Sequence, residues 1–260
     1  MDAFVSCEER TQEVDGSDGM NKTGISWTDL TLNPVSGCSK VSPGCQNCYA
    51  EAWSHRWGRS FNVTLHPERL KEVRRIKPGT KVFVNSMSDL FHPSVPTEFI
   101  NHVIRAMETR RDVVFQVLTK RPEQILQRED LLPFPENVWL GVSVEMPLYV
   151  ERIDQLVQVS NRGLHDGVNF VSFEPLLADI GQVKFKFGVA HGIDWIILGG
   201  ESGSHHRPMK LEWARNLIRQ AKEQGVAVWM KQLGGLRPGG DLEDFPEDLR
   251  IREFPAEVLK

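Results

Sequence analysis

The sequence predicts an α/β protein: a partial (β/α)6-type TIM barrel with parallel strands and with N- and C-terminal extensions. The first observation is that short, almost wholly apolar runs alternate with segments of helical period, which is typical of parallel strands covered by helices. The second is that no Gly-x-Gly-x-x-Gly turn follows the first strand, which disfavours a dinucleotide-binding sheet. The same rhythm favours a barrel, complete or open, over an open doubly wound sheet.

The predicted strands are short apolar runs bounded by turn residues or polar residues. They cover residues 81–86, 113–118, 137–144, 170–173, 195–200 and 226–231. The predicted helices have apolar residues at helical spacing or a strongly helix-forming composition. They cover residues 49–57, 96–107, 122–127, 149–159 and 211–224. We expect three units: a flexible tail over residues 1–22, the barrel over 23–235 and a C-terminal extension over 236–260.

Composition narrows the class of protein. The chain has 260 residues, of which 40% are hydrophobic and 25% charged, with a net charge of -4. This suits one sizeable globular domain or two small ones, and it disfavours tight phosphate binding by the whole surface. No apolar run approaches the roughly 20 residues that cross a bilayer, so we expect no membrane partner. The N-terminus lacks the pattern of a signal peptide, and four cysteines do not resemble a secreted disulfide framework. We therefore expect a cytoplasmic protein.

The most informative stretch is a Gly/Pro-rich loop that carries Cys38, Cys45 and Cys48 with the spacing Cys-x6-Cys-x2-Cys. Thiolates this close together can converge on a metal ion or on an iron-sulfur cluster. We favour a [4Fe-4S] cluster that these cysteines bind through three irons, with the fourth iron open. The alternative is a structural zinc site, which requires a fourth ligand such as Cys7 or His55.

Polar residues follow almost every predicted strand. They are Ser86, Ser88, Asp89, Thr119, Lys120, Arg121, Ser143, Glu145, Ser172, Glu174, Gly199, Gly200, Glu201, Lys231 and Gln232. Because the carboxyl ends of barrel strands converge at one mouth, we expect these side chains to form a site there. The alternative is that each side chain caps the helix that follows it.

Three of these strand-end residues are glutamates, and buried carboxylates require cationic or hydroxyl partners. A ribose diol or an ammonium group could serve, as could Lys120, Arg207 and Lys231. The Gly199-Gly200 pair would let the backbone approach a flat ring or a phosphate. Glycosidase chemistry with two carboxylates is a formal alternative, but it would give the cysteine loop no role.

Taken together, these motifs resemble the radical S-adenosylmethionine (SAM) superfamily. The resemblance is closer to a phage-associated branch that long carried no assigned function, and it covers roughly residues 23–235. It rests on residues 42–50, 85–91, 118–122, 141–145 and 199–203. The spacing departs from the usual Cys-x3-Cys-x2-Cys loop of the superfamily by three extra residues. Asn47 stands where an aromatic residue often precedes the last cysteine, and Tyr49 follows that cysteine.

The resemblance implies a [4Fe-4S] cluster on Cys38, Cys45 and Cys48, with SAM chelating the open iron. One electron from an external flavodoxin- or ferredoxin-type reductant would cleave SAM to methionine and a 5′-deoxyadenosyl radical, which abstracts a substrate hydrogen. By position, the methionine amino group is assigned to Ser86, Ser88 and Asp89. The ribose is assigned to Ser143 and Glu145, and the adenine to Glu174, Gly199 and Gly200.

For the substrate, the resemblance implies an amino-acid-decorated thymine in phage DNA, changed by an isomerase or aminomutase in the host cytoplasm. Lys120, Glu201, Arg207 and Lys231 are predicted to face it. Basic runs at 71–77 and 105–111, together with Trp27, Trp53 and Trp57, could contact nucleic acid. The alternative for the basic runs is that they are solvated helix faces. The alternative for the tryptophans is that they pack in an ordinary core. A radical SAM enzyme for a peptide or small molecule, or a zinc-stapled nucleic-acid-binding accessory protein, are the alternative functions.

Overall fold

The structure is a computed structural model that describes residues 20–187, 191–237 and 239–256. Cys7 and most of the predicted N-terminal tail lie outside these residues. No helix in the described part of the chain is long and apolar enough to span a membrane.

Strands and helices alternate along much of the described chain. The strands are Met20–Lys22 (β1), Leu30–Leu32 (β2), Val35–Ser36 (β3), Thr64–Leu65 (β4), Lys81–Val84 (β5), Val114–Thr119 (β6), Val138–Ser143 (β7), Asn169–Phe173 (β8), Trp195–Gly199 (β9) and Ala227–Gln232 (β10). The α-helices are Tyr49–Arg56 (α1), Thr97–Glu108 (α2), Pro122–Leu126 (α3), Glu151–Asn161 (α4) and Leu211–Glu223 (α5). Short 3-10 helices occupy Pro43–Cys45, Pro67–Arg75, Pro147–Tyr149, Leu242–Asp244 and Glu247–Leu249. Every predicted strand and helix is found, with its ends shifted by no more than two residues.

The main sheet of the described chain has eight strands in the order β1-β2-β5-β6-β7-β8-β9-β10. All neighbours pair in parallel except β1, which runs antiparallel to β2. The predicted α/β class with a parallel sheet is therefore confirmed. The flexible tail over residues 1–22 stays a prediction, and at its end Met20–Lys22 pairs with the backbone of Leu30–Leu32 at the sheet edge.

One face of the sheet curves around an aromatic core. The ring of Trp27 lies 4.8 Å from that of Phe83 on β5 and 6.1 Å from that of Trp195 on β9, measured between centroids. These two strands are four positions apart in the sheet, which would separate them by about 19 Å if the sheet were flat. Because one tryptophan contacts both rings, the sheet must bend strongly toward it. The partial barrel remains a prediction, and this curvature agrees with it.

The other face is covered by amphipathic helices. Helix α5 buries Ala214, Leu217, Ile218 and Ala221, which recur at helical spacing along one side. The helix then ends at Gly225, whose φ of +69° is the left-handed conformation of a C-terminal cap. The larger apolar core therefore lies between the sheet and its helices.

The C-terminal extension closes the amino-terminal end of the sheet. The Phe254 ring lies 5.5 Å from the ring of Trp195 and 4.6 Å from that of Trp229. The Lys81 ammonium lies 5.1 Å from the same ring, and Trp195 donates its indole hydrogen to the Glu253 carbonyl at 2.8 Å. Lys81 and Trp195 are the first residues of β5 and β9. The opposite, carboxyl end of the strands carries the polar residues discussed next.

Candidate functional site

The cysteine loop joins β3 to α1 at the carboxyl end of the sheet. Its Gly37 pairs with Ser88 directly after β5, with the Gly37 amide donating to the Met87 carbonyl at 3.3 Å. Cys45 ends a 3-10 turn, and Cys48 is the residue that precedes α1. The thiols of all three loop cysteines are free and partly buried.

The first half of the loop is fixed around Cys38. Its amide donates to the Phe61 carbonyl at 3.1 Å. Arg121 donates to both the carbonyl and the hydroxyl oxygen of Ser39 at 2.9 Å, and His92 lies 2.8 Å from the same hydroxyl. Burial, helped by the charge of Asp89, raises the pKa of the Cys38 thiol to about 11. The thiol is therefore neutral at pH 7 unless a bound metal deprotonates it.

The middle of the loop is fixed by Glu145, which follows β7 and has no exposed surface. Ser42 donates its hydroxyl hydrogen to Oε1 of Glu145 at 2.5 Å, and Lys120 Nζ lies 3.3 Å from the same oxygen. Arg152 donates to Oε2 at 3.0 Å. A Cβ on Gly44 would lie 2.5 Å from the Glu145 side chain, so the loop backbone rests directly on this carboxylate.

The surroundings of Glu145 keep it ionised. Burial alone would raise its pKa, but Lys120, the Ser42 hydrogen bond and Arg152 outweigh burial and hold the pKa below its usual value. Glu145 is thus a buried anion that links the cysteine loop to the ends of β6 and β7.

The last part of the loop is fixed by Glu201 and Arg207, which follow β9. Arg207 donates to both oxygens of Glu201, at 2.8 and 2.5 Å, and to the Pro43 carbonyl at 3.0 Å. Asn47 donates to Glu201 at 3.0 Å and to the His205 carbonyl at 2.8 Å. Burial would raise the pKa of Glu201, but the hydrogen bonds from Arg207 and Asn47 lower it overall. Asn47 therefore holds the loop against the segment that follows β9.

A third ion pair joins the ends of β8 and β10. Lys231 on β10 contacts the carboxylate of Glu174, which follows β8. A Cβ on Gly199 would lie 3.2 Å from the Glu174 side chain, so a glycine allows this carboxylate to lie along β9. Close by, Tyr49 donates its hydroxyl hydrogen to the Ser86 carbonyl. Gly200 packs against the backbone of Leu233, where a Cβ would lie 2.4 Å from its carbonyl oxygen.

Asp89, predicted to contact the methionine amino group, accepts several hydrogen bonds within the protein. Its donors are the Thr119 hydroxyl at 2.8 Å and the amides of Lys120 and Phe91, each at 3.0 Å. Asp89 therefore joins the ends of β5 and β6. Its contact with the cofactor stays a prediction.

The two serines predicted beside Asp89 also bond within the protein. Ser88 donates to the Val35 carbonyl at 2.7 Å, and Ser86 donates to Asn33 Oδ1 at 3.1 Å. Ser143 is buried at the end of β7, where its carbonyl accepts from Arg152 at 2.7 Å. The cofactor contacts assigned to these serines likewise stay predictions.

Capping does not account for the polar strand ends. No side-chain cap hydrogen bond is found at the N-terminus of any α-helix in the described chain. The strand-end residues instead contact one another and the cysteine loop. The structure thus brings together Lys120 with Glu145, Glu201 with Arg207, and Glu174 with Lys231.

The donors that the loop offers are three free thiols, and the described residues form no preformed site for a single ion. Among the described residues, no three His, Cys, Asp or Glu side chains are grouped as one metal ion would require. Zinc needs its ligands at about 2.0–2.3 Å from a single point, so the described residues hold no preformed zinc site. A four-iron cluster takes its thiolates at separate corners, which three free thiols on one loop can supply. Binding would proceed with release of the thiol protons.

Sequence reasoning missed several residues that position the loop. Ser42 and Gly44 lie within the motif but reveal their roles only when Glu145 is placed beneath them. Arg152 lies on α4 and His92 in the segment before α2, and nothing in their local sequence distinguishes them from surface residues. Gly37 lies directly before Cys38 and has a positive φ. Since glycine is the usual residue at positive φ, this turn could have been suspected from the sequence.

The model of the family described as "Protein of unknown function (DUF5131)" matches residues 22–247. This chain belongs to that family. No curated protein matches the sequence.

Solved structures of spore photoproduct lyase show a distant likeness to the chain. The lyase complexed with dinucleoside spore photoproduct has 10% identity and a TM-score of 0.42, over 81% of this chain and 65% of that one. A double mutant of the lyase with bound AdoMet and dinucleoside spore photoproduct has 10% identity and a TM-score of 0.40, over 78% and 64%. The chain thus spans just under two thirds of the length of these lyases.

Proposed function

We propose that this protein is a radical SAM enzyme whose cysteine loop holds a [4Fe-4S] cluster through Cys38, Cys45 and Cys48. The observation that carries the proposal is the placement of three free thiols on one loop at the carboxyl ends of parallel strands. The loop is fastened there by contacts with Arg121, Glu145 and Arg207. These contacts suit a loop that carries metal ligands, because the residues around metal ligands fix their orientation.

The chain's own residues would bind and orient SAM at the mouth. With SAM bound, the cluster supplies reductive cleavage of SAM and hydrogen abstraction from a substrate, using one electron from a flavodoxin- or ferredoxin-type reductant. Ser86, Ser88 and Asp89 lie at the end of β5, where the resemblance assigns the methionine amino group. Glu174 lies against Gly199, and the resemblance assigns these two residues and Gly200 to the adenine. The resemblance assigns Ser143 and Glu145 to the ribose; both are buried at the end of β7, and Glu145 lies against Gly44 of the loop.

For the substrate, we propose a modified nucleobase in DNA, in a reaction of the isomerase or aminomutase type. The support is the resemblance of the motifs to the phage-associated branch, which also suggests the cytoplasm of a bacterial host. Lys120, Arg207 and Lys231 each pair with a glutamate at the mouth. A polar substrate would be oriented by these three ion pairs.

Replacing Cys45 by alanine is the direct test of the ligand assignment. Anaerobic reconstitution of the wild-type chain should give a brown protein with about four irons and four sulfides. Cys45→Ala should lose the colour and most of the iron, because a cluster ligand is gone. Cys7→Ala is the matched control and should keep both. A colourless wild-type protein with one zinc per chain would contradict the proposal.

The substrate is tested separately from the cluster. Mass spectrometry should compare the nucleosides of phage DNA produced with the intact protein and with the Cys45→Ala variant. We expect one hypermodified nucleoside to be replaced by its unrearranged precursor in the variant. Identical nucleoside profiles would contradict the DNA part of the proposal and leave the cluster assignment to the reconstitution experiment.

A further inference from the structure

An aromatic pair lies at the far end of the helix that the cysteine loop begins. Trp53 on α1 and Trp57 directly after it have ring centroids 6.4 Å apart. The guanidinium of Arg59 lies 5.5 Å from the centre of the Trp53 ring. Trp57 is 63% exposed, although it carries one of the largest apolar surfaces that a side chain can have.

Neither helix stabilisation nor core packing accounts for the exposure of Trp57. Aromatic residues four positions apart can stabilise a helix, but that contact does not require Trp57 to face water. Packing in the core accounts for four tryptophans that are almost fully buried: Trp27, Trp139, Trp195 and Trp229. Trp57 differs from all four in facing solvent.

The chain segment around the pair carries arginines but no carboxylates. Sequence positions 52–67 contain Arg56 and Arg59 but no Asp or Glu. The flanking acidic residues lie beside other cations, Glu51 at 2.8 Å from Lys40 and Glu68 at 4.0 Å from Arg69. Within the described residues, neither arginine forms an ion pair.

We propose that Trp53, Trp57 and Arg59 form a stacking platform for a base of single-stranded DNA, with Arg56 and Arg59 contacting its phosphates. The proposal rests on the proposed function and adds the strand state of its substrate. Exposed aromatic rings beside arginines bind single strands, because every base has a face that can stack. Because the net charge is -4, the surface as a whole does not attract phosphates. Contact with DNA is therefore expected at a local platform.

The position of the platform sets which base it would hold. Helix α1 has 8 residues and starts directly after Cys48. At 1.5 Å per residue it is about 12 Å long, so the platform lies about that far from Cys48. The platform would therefore hold a flanking base while the target base reaches the mouth.

The test is binding of a fluorescein-labelled oligothymidylate of 12 nucleotides to the full chain, followed by fluorescence anisotropy at several salt concentrations. Trp57→Ala should weaken binding about 5- to 150-fold, the range for loss of one stacked base. Trp57→Phe should keep most of the affinity, since a smaller ring still stacks. Arg59→Gln should make the slope of log affinity against log salt shallower by about 0.7.

A matched control is the cation–π pair of Lys210 and Trp213 at the start of α5. The Lys210 ammonium lies 5.6 Å from the centre of the Trp213 ring. Lys210→Gln and Trp213→Ala should leave the affinity unchanged, with folding of every variant checked by circular dichroism. Equal affinity of wild type and Trp57→Ala would overturn the platform, even if the cluster forms and cleaves SAM. So would a Trp57→Ala variant that dissociates a dimer without a change in oligonucleotide binding, because Trp57 would then contact a second copy.

Discussion

Gly37→Ala is expected to displace Cys38 and to prevent stable cluster binding. Gly37 has a φ of +78°, and a Cβ there would lie 2.2 Å from the Asn62 carbonyl oxygen. The left-handed conformation alone costs a residue with a Cβ about 1–2 kcal/mol, and the backbone overlap adds to that. The loop must therefore move, and with it the amide of Cys38 that bonds to Phe61. We expect iron content after reconstitution to fall several-fold and the free energy of unfolding to fall by at least about 2 kcal/mol.

The control for this variant is Gly58→Ala. Gly58 also has a positive φ, +63°, but nothing lies within 4 Å of the added Cβ. It should lose about 1 kcal/mol of stability through backbone strain and retain full iron content. Iron analysis and urea unfolding of both variants check the expectation. Normal iron content in Gly37→Ala would show that the close approach to Asn62 does not position Cys38.

Glu145→Gln is expected to lower stability and to loosen the cysteine loop. Glutamine keeps the shape that rests against Gly44 but removes the charge that Lys120 and Arg152 share. Breaking a buried ion pair costs about 3–5 kcal/mol. We expect the lower end, about 3 kcal/mol, because the Lys120 side chain is 20% exposed and can turn toward water. Chemical denaturation of the two proteins at pH 7 measures the difference.

The pH dependence of this variant supplies a second readout. The pKa of Glu145 is lower in the folded protein than in the unfolded chain. Its contribution to stability is therefore complete above the unfolded pKa of about 4.3 and is lost as the pH falls through the folded value. The stability difference between wild type and Glu145→Gln should accordingly shrink below about pH 4. Glu223→Gln, which breaks an exposed pair with Arg219, is the control and should change stability by no more than about 0.5 kcal/mol. A Glu145→Gln protein as stable as this control would contradict the account of Glu145.

Local patterns predicted most of the fold. The β9 segment Trp195–Gly199 is buried along its whole length, and a continuous apolar run is the signal of such a strand. Helix α5 showed its apolar stripe and its terminal Gly225 equally clearly. Strand β1 was missed because Met20–Lys22 has no strand pattern of its own and becomes a strand only through pairing with β2, which no local signal reveals.

The site was predictable in its residue types but not in its pairings. Because a buried carboxylate requires a cationic partner, the sequence predicted one for the glutamate after β7, and Lys120 was among the candidates. The partner that attaches Glu145 to the cysteine loop is Ser42, 103 positions away, and its hydroxyl resembles any other in a polar loop. The role of Asn47 emerges in the same way, from contact with Glu201 across the mouth. Such pairings depend on the tertiary fold, which brings distant segments together.

The central claim is that the cysteine loop holds a cluster with an iron open to SAM. The most direct measurement is electron paramagnetic resonance of the reconstituted, dithionite-reduced protein with and without SAM, together with chromatography for 5′-deoxyadenosine. The account predicts a cluster signal that changes on addition of SAM and release of 5′-deoxyadenosine, both lost in Cys45→Ala. A cluster signal that SAM leaves unchanged, with no 5′-deoxyadenosine formed, would contradict it.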